Sequence, residues 1–178
     1  LFSGCAILVD EWKEYADAIV MNYYAGCEGG RALANLLFGA KNFSGHLPFT
    51  VAKKEEDYPS FKYIGDKPYE ITYGYYHGYT LLDKEGKDAA YPFGYGKSYT
   101  DFALESVEVS RDRDGVLVRS TVRNTGSVDG AQVVQVYTGR NGAADGADRP
   151  IKLLKGIARV EVPAGEEKAV EIRIPLEE

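Results

Sequence analysis

Acidic side chains are the first candidates for chemistry in this sequence, 27 Asp and Glu against 21 Lys and Arg. Two carboxyls held about 5 Å apart, one a proton donor and one a nucleophile, cleave a glycosidic bond with retention. No spacing in the chain picks out such a pair, so no catalytic residue is assigned. His46 and His77 each lack a Cys or carboxylate at zinc-ligand spacing, and both read as structural or surface residues. No metal site is expected. Asp112-Arg113-Asp114-Gly115 matches the middle part of a calcium loop, with Gly115 at its sixth position, but the twelfth position is then Thr121 instead of Glu, and a hairpin turn explains the stretch better. Asn42-Phe43-Ser44 fits a glycosylation acceptor, a pattern that also occurs often by chance.

The turn Tyr24-Ala25-Gly26-Cys27-Glu28-Gly29-Gly30 precedes a helical pattern, a place where α/β proteins bind ligands. It lacks the dinucleotide fingerprint, and no phosphate loop or nucleophile elbow occurs anywhere. A tight turn with a carboxylate beside a helix start is the simpler reading, and no cofactor is expected. Cys5 and Cys27 form no C-x-x-C pair and read as buried free thiols. Few cysteines and no leader-like opening favour a reducing compartment, the cytoplasm.

Tyrosine is the compositional outlier: ten of the 14 lie between Tyr58 and Tyr99. Aromatic faces with polar tips suit two roles. One is a strap packed between two layers, and Pro59, Pro68 and Pro92 give it an irregular path. The other is a surface for sugar rings. Nucleic acid is not an expected partner, because the net charge is −6 and residues 1–100 and 101–178 each sum to −3. A membrane is not expected either, since no apolar run approaches the roughly 18–20 residues a spanning helix needs.

The elements that must position these residues fall into three stretches: 1–50, 51–102 and 103–178. In residues 1–50, Asp10 reads as an N-cap for a short helix over Glu11–Ala16. Ala18 to Tyr23 is a nearly continuous apolar run that suits a buried parallel strand. A longer helix from Glu11 to Tyr24 is the alternative, because Trp12, Tyr15, Ile19 and Tyr23 share a helical face. Arg31 to Leu37 then reads as a helix with Leu33, Leu36 and Leu37 on one stripe and Gly39 as its stop. Helix, strand, glycine turn and helix make one step of an α/β layer, which cannot bury its own apolar faces.

Residues 51–102 are the tyrosine-rich strap. Residues 103–178 alternate with period two. Asp114-Gly115 signals a two-residue hairpin, Asn124-Thr125-Gly126 and Pro163-Ala164-Gly165 break strands, and Gly139 to Asp148 is a polar loop. Five strands at such spacing indicate an immunoglobulin-like β-sandwich, with one or two of the usual seven strands expected after Glu178.

Three segments together resemble the C-terminal half of glycoside hydrolase family 3. The first is Tyr23-Tyr24-Ala25-Gly26-Cys27-Glu28-Gly29-Gly30-Arg31-Ala32-Leu33-Ala34-Asn35-Leu36-Leu37-Phe38-Gly39 with Asn42-Phe43-Ser44-Gly45-His46-Leu47-Pro48-Phe49-Thr50. It is similar to the end of the family's α/β sandwich domain. The second is Gly78-Tyr79-Thr80-Leu81-Leu82-Asp83 with Tyr91-Pro92-Phe93-Gly94-Tyr95-Gly96-Lys97-Ser98-Tyr99-Thr100-Asp101-Phe102, like the family's C-terminal signature. The third joins Val122-Arg123-Asn124-Thr125-Gly126, Val133-Val134-Gln135-Val136-Tyr137, Leu153-Leu154-Lys155-Gly156 and Pro163-Ala164-Gly165-Glu166, and resembles the closing fibronectin type III-like domain. Phe43, Lys97 and Thr80 stand where Pro, Leu and Arg are usual.

The resemblance implies an α+β chain in two parts. These are a fragment of an α/β (Rossmann-like) sandwich domain and an immunoglobulin-like (fibronectin type III-like) β-sandwich, with Tyr95 and Tyr99 as packing anchors of the strap. It implies a retaining hydrolase of carbohydrate metabolism that removes terminal β-linked sugars, glucose foremost, with no cofactor. The nucleophilic Asp would come from a separate (β/α)8 barrel, and the acid/base Glu from sequence upstream of Leu1. Neither matches a residue here, so the chain alone is expected to be inactive. A carbohydrate-binding or adhesion module without hydrolase activity is the alternative.

Overall fold

The computed structural model describes residues 1–59, 74–139 and 148–176. Tyr63, Tyr69 and Tyr73 of the strap, and most of the loop expected over Gly139 to Asp148, lie outside the described residues. In chain order the elements are α1 (Gly29–Leu37), β1 (Val51–Ala52), α2 (Tyr79–Glu85), β2 (Ala89–Tyr91), β3 (Phe102–Arg111), β4 (Gly115–Asn124), β5 (Gly130–Gly139), β6 (Lys152–Val162) and β7 (Glu167–Pro175). Short 3₁₀ turns occupy Lys13–Tyr15 and Glu55–Asp57. The chain forms two compact units. The first comprises Leu1–Gly29, Leu47–Tyr95 and Arg140–Ile151, and the second Gly30–His46, Gly96–Gly139 and Lys152–Glu178.

In the first unit the helix expected over Glu11–Ala16 shrinks to the turn Lys13–Tyr15, closed by the Tyr15 amide on the Trp12 carbonyl and the Ala16 amide on the Lys13 carbonyl. The reason is local. Asp10 takes the Lys13 ammonium at 2.7 Å and caps no amide, so the helix start it was expected to provide is absent. From Ala16 the chain is extended, which excludes the long helix to Tyr24. The Leu1 amino group donates to the Val20 carbonyl at 2.8 Å and the Asn22 amide donates to the Leu1 carbonyl at 2.9 Å. These two bonds flank Met21 as in a parallel pair. The run from Ala18 is thus paired once in parallel around Met21 and ends at Tyr23, whose φ is 49°, but it joins no continuous ladder among the described residues.

β1 and β2 pair antiparallel through Val51 with Tyr91 and Ala52 with Ala89. The Tyr58 hydroxyl closes the free side of β1, accepting from the Ala52 amide at 2.9 Å and donating to the Thr50 carbonyl at 3.2 Å. Burial pushes the Tyr58 phenol above its usual value. α2 ends at Gly86, whose φ of 64° permits a left-handed stop, and the Lys87 amide returns to the Leu82 carbonyl at 2.9 Å. Val9, Val51, Ala52 and Leu82 are buried, and this unit's Phe2, Tyr15, Tyr24 and Tyr75 are exposed. Cys5 and Cys27 are free but exposed, against the expectation of burial. Both sit in short turns that carry no core, and the Cys5 sulfur lies 3.3 Å from the Ser3 hydroxyl.

The second unit is a β-sandwich. One sheet has the order β3-β4-β7 and the other pairs β5 with β6, all neighbours antiparallel. Alternation fills the space between them with Val122, Val134, Val162, Val170 and Ile172, flanked by Phe102, Val136, Ala158 and Val160. Burying each such Val or Ile contributes roughly 1.5–3 kcal/mol. The β3–β4 hairpin turns at Asp112–Asp114, one residue longer than expected. Asp112 Oδ1 accepts from the Asp114 and Gly115 amides at 2.9 and 3.0 Å. Arg173 on β7 also grips the Asp112 carboxylate at 2.9 and 3.0 Å and holds its pKa below the usual range. A Cβ on Gly115 would meet the Ile174 carbonyl oxygen at 2.2 Å, so only glycine lets β4 start against β7.

Candidate functional site

The signature residues come together in the second unit around two asparagines. Asn42, on the loop after α1, accepts from the Ser98 hydroxyl at 3.0 Å and the Tyr99 amide at 2.9 Å. Its Nδ2 donates to the Asp129 carbonyl at 2.9 Å. The Oδ1 thus takes two donors and Nδ2 gives one of its two hydrogens. Tyr99 donates its hydroxyl to the Leu36 carbonyl at 2.8 Å, which also accepts from the Gly39 amide at 3.2 Å in the last turn of α1. Its ring meets Phe43 edge-on at 5.6 Å.

Asn124 is completely buried at the end of β4. Its Oδ1 accepts from the Thr100 hydroxyl at 2.5 Å and the Gly126 amide at 3.1 Å, and its Nδ2 donates to the carbonyls of Val128 and Val162 at 2.8 and 3.0 Å. Every polar atom of the amide is used, the condition under which a buried polar group stabilises a fold. Gly126 and Gly130 make room for this network. A Cβ on either would lie 2.3 Å from the Thr100 hydroxyl oxygen or 2.9 Å from the Phe102 ring, respectively.

Beside these hubs lies an open pocket of about 160 Å³. Its polar lining includes Ser44, His46, Lys97, Ser98, Asp101 and Gln132, with Phe43 and Phe102 as aromatic walls. The His46 Nδ1 lies 3.1 Å from the Ser44 carbonyl and donates to it, which leaves Nε2 as an acceptor. Gly96 packs against that ring, its Cβ position 3.0 Å from the His46 Cδ2. Arg159 steadies Ser44 at 3.3 Å and is itself paired with Glu161 at 2.9 Å. Asp101 is the one carboxylate in the lining, so the pocket offers no acid and nucleophile pair.

In the first unit one polar cluster joins Tyr76, Lys84 and Asp148. The Tyr76 hydroxyl donates to Asp148 at 2.7 Å, Lys84 reaches the same carboxylate at 2.8 Å, and the ammonium sits 3.8 Å from the Tyr76 ring centre. Desolvation and the neighbouring carboxylate push the Tyr76 phenol up to about 12, while the Lys84 and Tyr76 bonds hold Asp148 below its usual range. His77 stays structural, its Nδ1 3.3 Å from the Gly74 carbonyl. Thr80 accepts from the His77 amide at 3.2 Å and donates to the His77 carbonyl at 2.8 Å, which fixes the entry to α2. The glycine turn before α1 is built on Gly26, with φ of 70° and its carbonyl accepting from Gly29 at 3.2 Å. Among the described residues no group of three or more His, Cys, Asp or Glu could hold a metal ion.

The hub residues were visible in the sequence only as quoted motif letters. Apart from Gly126 and Val128, which lie close to Asn124 in sequence, their partners lie 24 to 87 residues away, so no local periodicity reveals the pairing. The signal that could have found them is a polar residue at an inward strand position: Asn124 follows Val118, Ser120 and Val122 on the buried face of β4.

Comparison with known proteins bears on the whole chain. Residues 1–99 match the glycosyl hydrolase family 3 C-terminal domain, and residues 132–178 match a fibronectin type III-like domain. The probable beta-glucosidase K of Emericella nidulans is 36% identical over 96% of this chain. The exo-alpha-(1->6)-L-arabinopyranosidase of Bifidobacterium longum is 38% identical over 97% of it. The structure of beta-glucosidase 3B from Thermotoga neapolitana in complex with glucose superposes with a TM-score of 0.88 at 34% identity over 97% of the chain. The chain spans only 20%, 23% and 25% of those three proteins, respectively. Matched over more than half its length by the family's domain, this chain belongs to glycosyl hydrolase family 3.

Proposed function

We propose that the protein is a retaining glycoside hydrolase that removes terminal β-linked sugars, glucose foremost, and that this chain supplies its C-terminal scaffold. The observation that carries the reading is the 34–38% identity to family members named for glycosidase activity, over nearly the whole chain. In this reading the nucleophilic Asp and the acid/base Glu belong to other parts of the protein, including a (β/α)8 barrel. The present residues hold the end of an α/β domain and the sandwich in register. The Ser98, Tyr99 and Thr100 contacts support that role, because each spends a signature side chain on structure.

A pentoside is the second substrate reading, favoured by the arabinopyranosidase among the relatives. The test is hydrolysis of aryl β-glucoside, β-xyloside and α-L-arabinopyranoside by the full-length protein, with the first-formed sugar followed by proton NMR. The proposal expects the glucoside to be cleaved fastest and its β-anomer to appear first. Initial release of the α-anomer, or no cleavage of any of the three, would overturn it.

A further inference from the structure

The pocket beside Asn42 is lined wholly by residues of the second unit, and its lining mixes polar groups with aromatic walls. Lys97 and Asp101 bring one charge of each sign, so the lining favours neither an anion nor a cation. The remaining polar groups are adaptable. The Ser98 hydroxyl is already given to Asn42, but the Ser44 hydroxyl, which accepts from Arg159, keeps its own hydrogen to donate, the Gln132 amide can donate and accept, and His46 presents an acceptor nitrogen. Such a mixture matches vicinal hydroxyls, each of which is both donor and acceptor.

The aromatic walls are held in place. Phe43 is fixed by the edge of Tyr99, itself anchored on the Leu36 carbonyl, and Phe102 lies beside Gly130 in the tightest approach that residue allows. Rings fixed in this way offer an apolar face at little ordering cost. At about 160 Å³ the pocket is well below the roughly 300–1,000 Å³ of sites for drug-sized ligands, which limits it to a single ring.

From this we propose that the pocket formed by Ser44, His46, Lys97, Asp101 and Gln132 between Phe43 and Phe102 is a binding site for one neutral sugar residue. The site holds the ring by its hydroxyls and stacks its C–H face, without chemistry. Only the choice of glucose and cellobiose as probes rests on the function proposed above.

Ala131 lines the pocket and is buried, which makes its methyl group a local reporter. The experiment is methyl NMR of the full-length protein with ¹³C-labelled alanines, titrated with glucose, cellobiose, glycerol and sulfate. The Ala131 signal is expected to move saturably with glucose at millimolar concentration. Gln132→Ala and Ser44→Ala, both partly exposed positions, are each expected to raise the midpoint at least tenfold, and Tyr75→Ala in the other unit to leave it unchanged. A stationary Ala131 signal, an equal response to glycerol or sulfate, or midpoints untouched by Gln132→Ala and Ser44→Ala would overturn the proposal. Hydrolysis is recorded on the same sample. Loss of hydrolysis with the Ala131 shift intact counts against the proposed function and leaves this site standing.

Discussion

The two units solve the burial problem differently. The sandwich encloses its own core, with Val122 and Val162 at 1% exposure, and satisfies its most buried amide four times over. The first unit buries Val9, Val51, Ala52 and Leu82 but leaves Phe2, Tyr15 and Tyr24 at 70%, 90% and 82% exposure. It also carries buried polar atoms with no partner, Asn22 Nδ2, Tyr23 hydroxyl and Thr50 Oγ1. Tyr23 is held at φ 49°, a strained setting for a residue with a bulky side chain. Burial pushes its phenol above the usual value. A group buried without a partner costs free energy unless something completes its bonding. Exposed apolar side chains occur in both units, Phe38 and Val109 of the second standing at 89% and 66%, so what separates the two among the described residues is the satisfaction of buried polar groups.

Removing the Asn124 hub should sharpen that contrast most. Asn124→Ala leaves the Thr100 hydroxyl, the Gly126 amide and two carbonyls without their partner, at about 1–3 kcal/mol for each group left unsatisfied. A loss of about 4 kcal/mol in the urea unfolding of the sandwich is expected, seen as a lower midpoint at constant slope. A loss under about 1 kcal/mol would mean that the hub is replaceable by water.

Tyr58→Phe is the corresponding change in the first unit. It deletes the hydroxyl that closes β1 on Thr50 and Ala52, for an expected loss of about 1–2 kcal/mol. Hydrogen exchange should speed up at the Ala52 amide while β4 amides stay as slow as before. Faster exchange across β4 would show that the two units unfold together.

The smallest effect is expected from Asp112→Asn. The amide can still accept from the Asp114 and Gly115 backbone, so the change isolates the charge paired with Arg173. The folded carboxyl lies below its ordinary value of about 3.9, so its contribution is present above pH 4 and disappears as the pH falls through the lowered folded value. The variant should therefore be slightly less stable than the parent at neutral pH, and the two should converge in acid. A constant gap from pH 7 to pH 2 would assign the effect to turn geometry and not to charge.

Much of the sandwich was legible, because period-two alternation and turn residues are local signals. The strands on either side of Asp112 and Pro163-Ala164-Gly165 fall where the pattern puts them. The first unit was read less well for physical reasons. Asp10 looked like a cap, but a lysine three residues on claimed its carboxylate. Ala18 to Tyr23 reads as a strand by composition, yet a strand is defined by neighbours, and the paired neighbour here is Leu1. The candidate pocket was not legible at all. Ser44, Lys97 and Gln132 come from three separate stretches, and their meeting depends on bonds such as Asn42 to Asp129, 87 residues apart.

The central claim is that these residues are scaffold and the reacting carboxylates lie elsewhere in the protein. It is tested most directly by assaying the isolated 178-residue chain beside the full-length protein on an aryl β-glucoside. The account predicts turnover by the full-length protein and none by the chain above the buffer rate. Sustained turnover by the purified chain, removed by substituting one of its own carboxylates, would contradict it.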